Sequence, residues 1–493
     1  MIHLRLTILA ASLVLAGCAA VGPNYLRPAL DVPTDLGNAG RSTATAAPTA
    51  GATAGATAGA VTADWLTWWK SFQDPVLDDL LKEAATGNQD LVLAAGRIAE
   101  ARANAVIVDA NRYPSVDGSL GASRNRSSQN SGQLPAGAPQ FSKDFQLRLS
   151  ASYEIDFWGK FSRASEAARA RLLSQEENRG AVLSILYSNV AQNYFALRSY
   201  DAQRALADSA LKTRLENLRL QQRRLSAGSI GTLELHQAES EVAAAEIAQA
   251  QASQAVGNSE TILAVLLGRS PRAITTPVIA RGAPIDALYR QMILPADLPA
   301  DLLNRRPDIL AAEQALVAAN ADIGQARANY FPSVRLTTGL GYESNRLSDL
   351  INPASLLWNL GANLVQPIFR AGAIGALVSG AEARKTQAEA QYVQSVQNAF
   401  KDVHDALTNL SASELVYAAS TRRAAALTDA LRLATLRYDN GYTSFLEVLT
   451  AQRDLLQTQS SLIDAQRNKL AAAAALYRAI GGGWEKPVGL AAS

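Results

Sequence analysis

Few side chains of this 493-residue chain are of a kind and spacing that could do chemistry. Cys18 is the single cysteine, so no intrachain disulfide and no thiolate metal cluster is available. Leu15-Ala16-Gly17 precede it, and small residues before a cysteine have the form of a lipoprotein cleavage site, after which Cys18 would be acylated on its sulfur and its freed amine. Of three histidines, His3 lies before the apolar N-terminal run, while His236 and His404 fall in helical patterns beside no obvious nucleophile. No phosphate loop of the form GxxxxGK(S/T) occurs, and Gly481-Gly482-Gly483 reads as the end of a last helix. Arg305-Arg306-Pro307-Asp308 reads as a structural junction where a helix starts after proline. The expectation is therefore no catalytic residue, no metal and no cofactor. Two carboxylates remain, Glu234 and Glu447, each six residues past a glycine, Gly228 and Gly441. Repeated around a narrow axis they would attract cations; as first-turn residues they would only complement a helix dipole. Both readings stand at this point.

The elements that must position these residues begin with an export signal. His3 and Arg5 precede an apolar core, Leu6 to Ala16, too short to cross about 30 Å of hydrocarbon. Ala19 stands where an Asp would favour retention in the inner membrane, which points Cys18 to the outer membrane. Residues 1–17 are read as signal peptide, and 18–64 as a lipid-anchored segment running into a tether of Ala, Gly and Thr that cannot bury enough apolar surface to order itself. The balance of 46 Lys plus Arg against 44 Asp plus Glu, with no cationic run, argues against nucleic acid.

The rest is a duplication. Residues 90–116 correspond without a gap to 308–334, pairing Asp90 with Asp308 and Pro114-Ser115-Val116 with Pro332-Ser333-Val334; further on, Gly228 pairs with Gly441 and Glu234 with Glu447. A period this long marks a duplicated half-molecule. The first repeat is placed at 65–270, an inter-repeat segment at 271–307, the second repeat at 308–483 and a tail at 484–493.

Each repeat reads as an Ala-rich helix ended by proline, two strands, then very long helices. Strands are expected at about 113–126 and 141–157, and at about 331–345 and 356–369. From Phe145 to Phe157 every second residue is apolar and those between are polar, which puts Arg148, Glu154 and Asp156 on one face and the aromatic and aliphatic groups on the other. In a membrane barrel these faces are lumen and lipid, with Arg335 also in the lumen. Helical hairpins follow at 158–268 and 371–480, turning at Gly228 and Gly441. No segment of the mature chain has eighteen consecutive apolar residues, so a membrane could be crossed only by a closed barrel. Four strands cannot close one, and copies of the chain must pool them.

Several runs together carry a family resemblance: VGPNYLRP just after Cys18, WWKSFQDPVLDDLL from Trp68, YEIDFWGK from Tyr153, ADLPADLLNRRPDILAAE from Ala296, and the paired glycine turns. From Cys18 to about Gly483 the chain resembles the TolC-type outer membrane factors, in particular the NodT-type lipoproteins that serve resistance-nodulation-division pumps. The resemblance implies a trimer with one twelve-stranded outer-membrane barrel, continuous with a periplasmic tunnel of long helices that closes at its lower tip. It implies a periplasmic adaptor and an inner-membrane transporter as partners, and outer-membrane lipid as surroundings. By position Glu447 takes the first lumenal acidic site of the tip and Glu234 is its counterpart in the first repeat. Thr450 stands where a second acidic residue is often found. The function expected is a passive exit duct for small amphiphilic compounds; the other readings weighed are a protein-secretion outer-membrane component and a lipid-anchored coiled-coil spacer.

Overall fold

The computed structural model describes residues 20–32, 66–128, 139–290 and 305–484. The signal peptide, Cys18, the tether and the tail beyond Trp484 lie outside them. The chain divides into two compact units.

The first unit comprises residues 1–29, 97–175 and 311–392 and contains all the strands among the described residues. β1 (Ser115–Arg126), β2 (Phe141–Ile155), β3 (Ser333–Ser344) and β4 (Leu356–Val365) form one antiparallel sheet in the order β1-β2-β3-β4. The β2–β3 ladder therefore joins the two repeats, with Leu149 opposite Leu340 and Glu154 opposite Arg335. β4 stops short of the expected 369, because Pro367 has no N–H for a ladder and the following Ala371 and Gly372 have positive φ.

Helices flank each strand pair. α1 (Pro75–Gly87) leads into α2 (Gln89–Ala110), which precedes β1; β2 runs into α3 (Lys160–Ser226), which turns into α4 (Thr232–Leu266). Two short helices, α5 (Pro271–Thr275) and α6 (Ile285–Arg290), follow. α7 (Pro307–Ala328) precedes β3, and β4 is followed by α8 (Ala373–Asp439) and α9 (Phe445–Ala479). At 1.5 Å per residue, α3 and α8, 67 residues each, are about 100 Å long.

Within the first unit, α3 and α7 meet through Ala167, Ala170, Ala318 and Ala321, side chains small enough for close helix approach. The indole of Trp158 stacks on Phe331 at 4.6 Å and donates to the Pro332 carbonyl at 2.8 Å. Residues 20–29 strap across both repeats: Val21 N–H donates to the Trp158 carbonyl at 3.0 Å, Arg163 donates to Asn24, and Tyr25 and Arg27 both reach Glu313. Gly22, at φ +114°, lies so close to Gly324 that a Cβ there would sit 2.4 Å from its Cα.

The second unit, residues 30–96, 176–310 and 393–493, holds an aromatic core built from Trp68, Phe72, Tyr194, Phe195 and Tyr477. Trp68 stacks on Tyr477 at 5.3 Å, and Phe72 meets Phe195 at 4.9 Å. Buried Asp74 is its polar hub: it caps α1 by accepting from Val76 N–H at 2.9 Å and accepts from the Tyr194 hydroxyl at 2.6 Å and Ala283 N–H at 3.2 Å. That desolvation and the adjacent carboxylate push the Tyr194 hydroxyl well above the usual phenol range. Arg306 has the junction role read from its sequence, holding Asp308 at 2.7 Å, the Ala479 carbonyl at 2.8 Å and Asp402 at 3.1 Å.

Candidate functional site

The sheet has two chemically opposite faces because its register keeps alternation in phase across all four strands. Ser119, Arg148 and Gly341 share one face, as do Ser152 and Thr337, and Glu154, Arg335 and Asn363. Leu120, Leu147 and Tyr342 share the other, as do Leu149, Leu340 and Trp358. The apolar face is bare: Leu120, Trp358 and Leu360 are 76%, 74% and 76% exposed. Among the described residues no helix is long and apolar enough to cross a membrane.

Three of the four residues expected in a barrel lumen lie on the polar face and are held there. Arg148 donates to the Asn359 side-chain carbonyl at 2.5 Å, and its guanidinium passes over Gly339, where a Cβ would come within 3.0 Å of it. Glu154 accepts from Lys160 and from Arg335, each at 3.0 Å. The structure revises the reading of Asp156 as a strand residue. It falls beyond the end of β2 and accepts from Ser162 N–H at 2.8 Å, capping the first turn of α3.

In the second unit, just after α3 and α8, Gly228 and Gly441 adopt φ of +70° and +77°, the left-handed conformation that ends one helix and allows the chain to reverse. Glu234 lies in the first turn of α4 and accepts from Gly231 N–H at 3.1 Å. Glu447 lies in the first turn of α9, and its carboxylate is engaged by Arg437 at 2.9 Å and by the Thr443 hydroxyl. Thr450, one turn on, is exposed and donates back to the Leu446 carbonyl at 2.9 Å, contributing no charge. Arg224 donates to the Tyr438 hydroxyl at 2.5 Å with its guanidinium 5.2 Å above the ring, while Tyr438 packs on Phe445 at 5.4 Å. This joins the ends of α3 and α8.

The seam between the two hairpins also contains a buried ionic cluster that the sequence reading missed. Arg214 of α3 pairs with Glu241 of α4 at 3.2 Å, both side chains 7% exposed; Arg453 of α9 donates to Glu241, and Arg214 also donates to Gln452 of α9. Burial pulls the Arg214 guanidinium below its ordinary pKa, and the Glu241 charge opposes that shift. A cavity of about 660 Å³, lined by Ala-rich faces of α3, α4 and α9, adjoins the cluster. The available signal was a charge at an inward position: Ala238, Glu241, Val242 and Ala245 recur at helical spacing.

Among the described residues no group of three or more His, Cys, Asp or Glu side chains could hold a metal ion. His236 and His404 are exposed, the first 2.9 Å from Glu239 and the second 4.0 Å from Asp405, each a neighbour on its own helix. The arrangement offers a wall with one polar and one apolar face.

The family model described as outer membrane efflux protein matches residues 80–269 and 298–482. The chain belongs to this family. It is similar to the cation efflux system protein CusC of Escherichia coli O6:H1, 36% identical over 478 residues that cover 96% of this chain and 98% of CusC. It is also similar to the probable outer membrane lipoprotein SilC of Salmonella typhimurium, 34% identical over 485 residues, 98% of this chain and all of SilC. Its fold matches the crystal structure of the Campylobacter jejuni CmeC outer membrane channel with a TM-score of 0.85, 25% identity, and coverage of 95% of this chain and 96% of that one. As a member of the efflux family, the chain is an outer membrane channel of a tripartite pump. Each copy lends four strands to a trimer's barrel, and its helices extend into the periplasm. Its role is transport.

Proposed function

We propose that this protein is the passive exit duct of a resistance-nodulation-division efflux pump, fed by a periplasmic adaptor and an inner-membrane transporter, and anchored by acyl chains on Cys18. The observation that carries the duct reading is the register that gives the four-stranded sheet one mainly polar face and one face that is apolar through the middle of the strands. Arg148, Glu154 and Arg335 line the bore, and energy comes from the transporter, since the chain has no phosphate loop. Glu234 and Glu447, with Thr450, mark the tip at the turns of Gly228 and Gly441. Opening separates the two hairpins of each copy, which breaks Arg224–Tyr438, Arg453–Glu241 and Arg214–Gln452.

The cargo is a small amphiphilic compound selected upstream. CusC is named for cation efflux, but this chain has two Met, three His and one Cys in all, too few soft ligands for a metal relay of its own. Deleting the protein should lower the inhibitory concentration of the exported compounds, with full rescue by the intact chain and reduced rescue by Cys18→Ala. Unchanged susceptibility to every compound, together with loss of a polypeptide from the medium, would establish the secretion alternative instead.

A further inference from the structure

The outward face of the sheet changes character at one end. Along β2, the residues that alternate onto this face are Ile155, Tyr153, Ala151, Leu149, Leu147 and Phe145, and then Lys143 and Phe141. On β1, the same face carries Val116, Leu120 and Ala122, and then Arg124 and Arg126. The ladder sets Arg124 directly opposite Lys143 and Arg126 opposite Phe141. Both guanidinium groups lie over the Phe141 ring, at 5.4 and 5.6 Å from its centre.

Like charges facing each other across an antiparallel pair are destabilising unless something neutralises them. Among the described residues no carboxylate forms a salt bridge with Arg124, Arg126 or Lys143. The connecting sequence from 127 to 140 contains no Asp or Glu. The nearest acid, Asp144, alternates onto the polar face and accepts from the Gln146 side-chain amide at 2.6 Å. Two guanidinium groups over one ring, with Lys143 opposite Arg124, thus call for an anion from outside the chain.

Depth identifies that anion. β1 follows α2 and β2 leads into α3, so the Arg126–Phe141 end is the one away from the helices, and in the outer membrane it faces outward. From Ile155 to Phe145 the strand rises about 25 Å, taking about 3.3 Å per residue and a tilt of about 40°. This is the height of the apolar band of an outer-membrane barrel. Lys143 and Arg124 come one alternation beyond it, at the level of the lipid headgroups in the outer leaflet, where the glycolipid carries its phosphates.

We propose that Arg124, Arg126 and Lys143 form a binding site for the phosphate groups of the outer-leaflet glycolipid, with the Phe141 ring as its floor, repeated three times around the trimer. The cations would then anchor the barrel at its outer rim.

The test uses the full lipidated trimer in detergent, with bound lipid counted by native mass spectrometry after addition of the bis-phosphorylated glycolipid, its dephosphorylated form, or a zwitterionic phospholipid. The expected result is retention of up to three bis-phosphorylated molecules per trimer. Binding should weaken about 100-fold in Arg124→Gln/Arg126→Gln/Lys143→Gln, since each Lys or Arg at an anionic lipid surface contributes about five-fold. Arg124→Lys/Arg126→Lys, which keeps the charge, should retain most of the binding. If the triple variant does not assemble, Lys143→Gln alone serves, with an expected loss of about five-fold. Equal binding of the dephosphorylated lipid, undiminished binding by the charge-neutral variants, or full displacement by millimolar inorganic phosphate would overturn the proposal. Trimer conductance in planar bilayers, which these outward-facing substitutions should leave unchanged, separates failure here from failure of the duct reading.

Discussion

Glu241→Gln isolates the buried ion pair that ties α4 to α3 where the first hairpin meets the second. The Arg214 and Glu241 side chains are each 7% exposed, whereas Arg453 is 58% exposed and its contribution is discounted for solvent screening. Neutralising Glu241 leaves the Arg214 guanidinium buried with only the neutral Gln452 beside it, at a cost of about 3 kcal/mol, the low end for breaking a buried pair. That cost appears as easier local opening of α4 around Ala238–Ala245, and about 3 kcal/mol corresponds to amide exchange roughly 150-fold faster there. Hydrogen exchange on the assembled trimer, read peptide by peptide, measures it, with the Trp68–Tyr477 core as the internal reference. Arg453→Gln should change exchange by less than about five-fold. Arg214→Met with Glu241→Leu removes both buried charges and should restore most of the protection, since apolar replacement of a buried pair is close to neutral. If Glu241→Gln exchanges within about three-fold of the parent, the buried pair does not hold α4 to α3 and the argument fails.

Other outcomes follow from the same geometry. Because Arg437 already occupies one side of the Glu447 carboxylate, Arg437→Gln should increase cation preference in planar-bilayer reversal potentials and Glu447→Gln should reduce it; no change in either would remove Glu447 from the pore. Gly22→Ala forces a Cβ to within 2.4 Å of the Gly324 backbone at a positive φ, so the strap should detach at a cost of about 2 kcal/mol, seen as earlier proteolysis and a lower dissociation temperature of the trimer. Gly324→Ala strains the same contact, so the two substitutions together should cost less than their sum. Asp74→Asn turns an amide donor toward one of the three donors that Asp74 accepts from, and should cost about 2 kcal/mol in the stability of the second unit; Tyr194→Phe should cost about half of that.

The parts legible in the sequence are those that repeat. Alternation from Phe145 to Ile155 reports a strand with two unlike faces because the side-chain period is two, and the gapless match of 90–116 with 308–334 places a helix, a proline and a strand twice. What stayed hidden depends on tertiary neighbours. The end of β4 required knowing that ladder pairing stops before Pro367, and the role of Asp156 required knowing that β2 ends one residue earlier. Arg148 reads as a lumen cation from parity alone, but that it lies along the wall follows from Gly339 and Asn359, roughly two hundred residues away. Glu241 was concealed by composition, since a Glu in an Ala-rich helix looks like solvated surface until Arg214 and Arg453 are seen around it.

The duplication also explains why the chain needs its copies. Among the described residues the one ladder between repeats within a chain is β2 with β3, where Glu154 faces Arg335. β1 and β4 are left as edges, with backbone N–H and C=O groups that hydrocarbon cannot satisfy, beside an apolar face that water does not tolerate. One environment removes the first cost and not the second, and the other does the reverse. Only edge-to-edge closure inside a bilayer removes both, so insertion and trimer formation are coupled: each half-finished state leaves one of these surfaces uncovered. Strands joining a neighbour must therefore keep the same inward and outward parity as β2 and β3, because a slip of one residue would turn Trp358, Leu360 and Leu364 into the bore and Asn359 and Asn363 into the lipid.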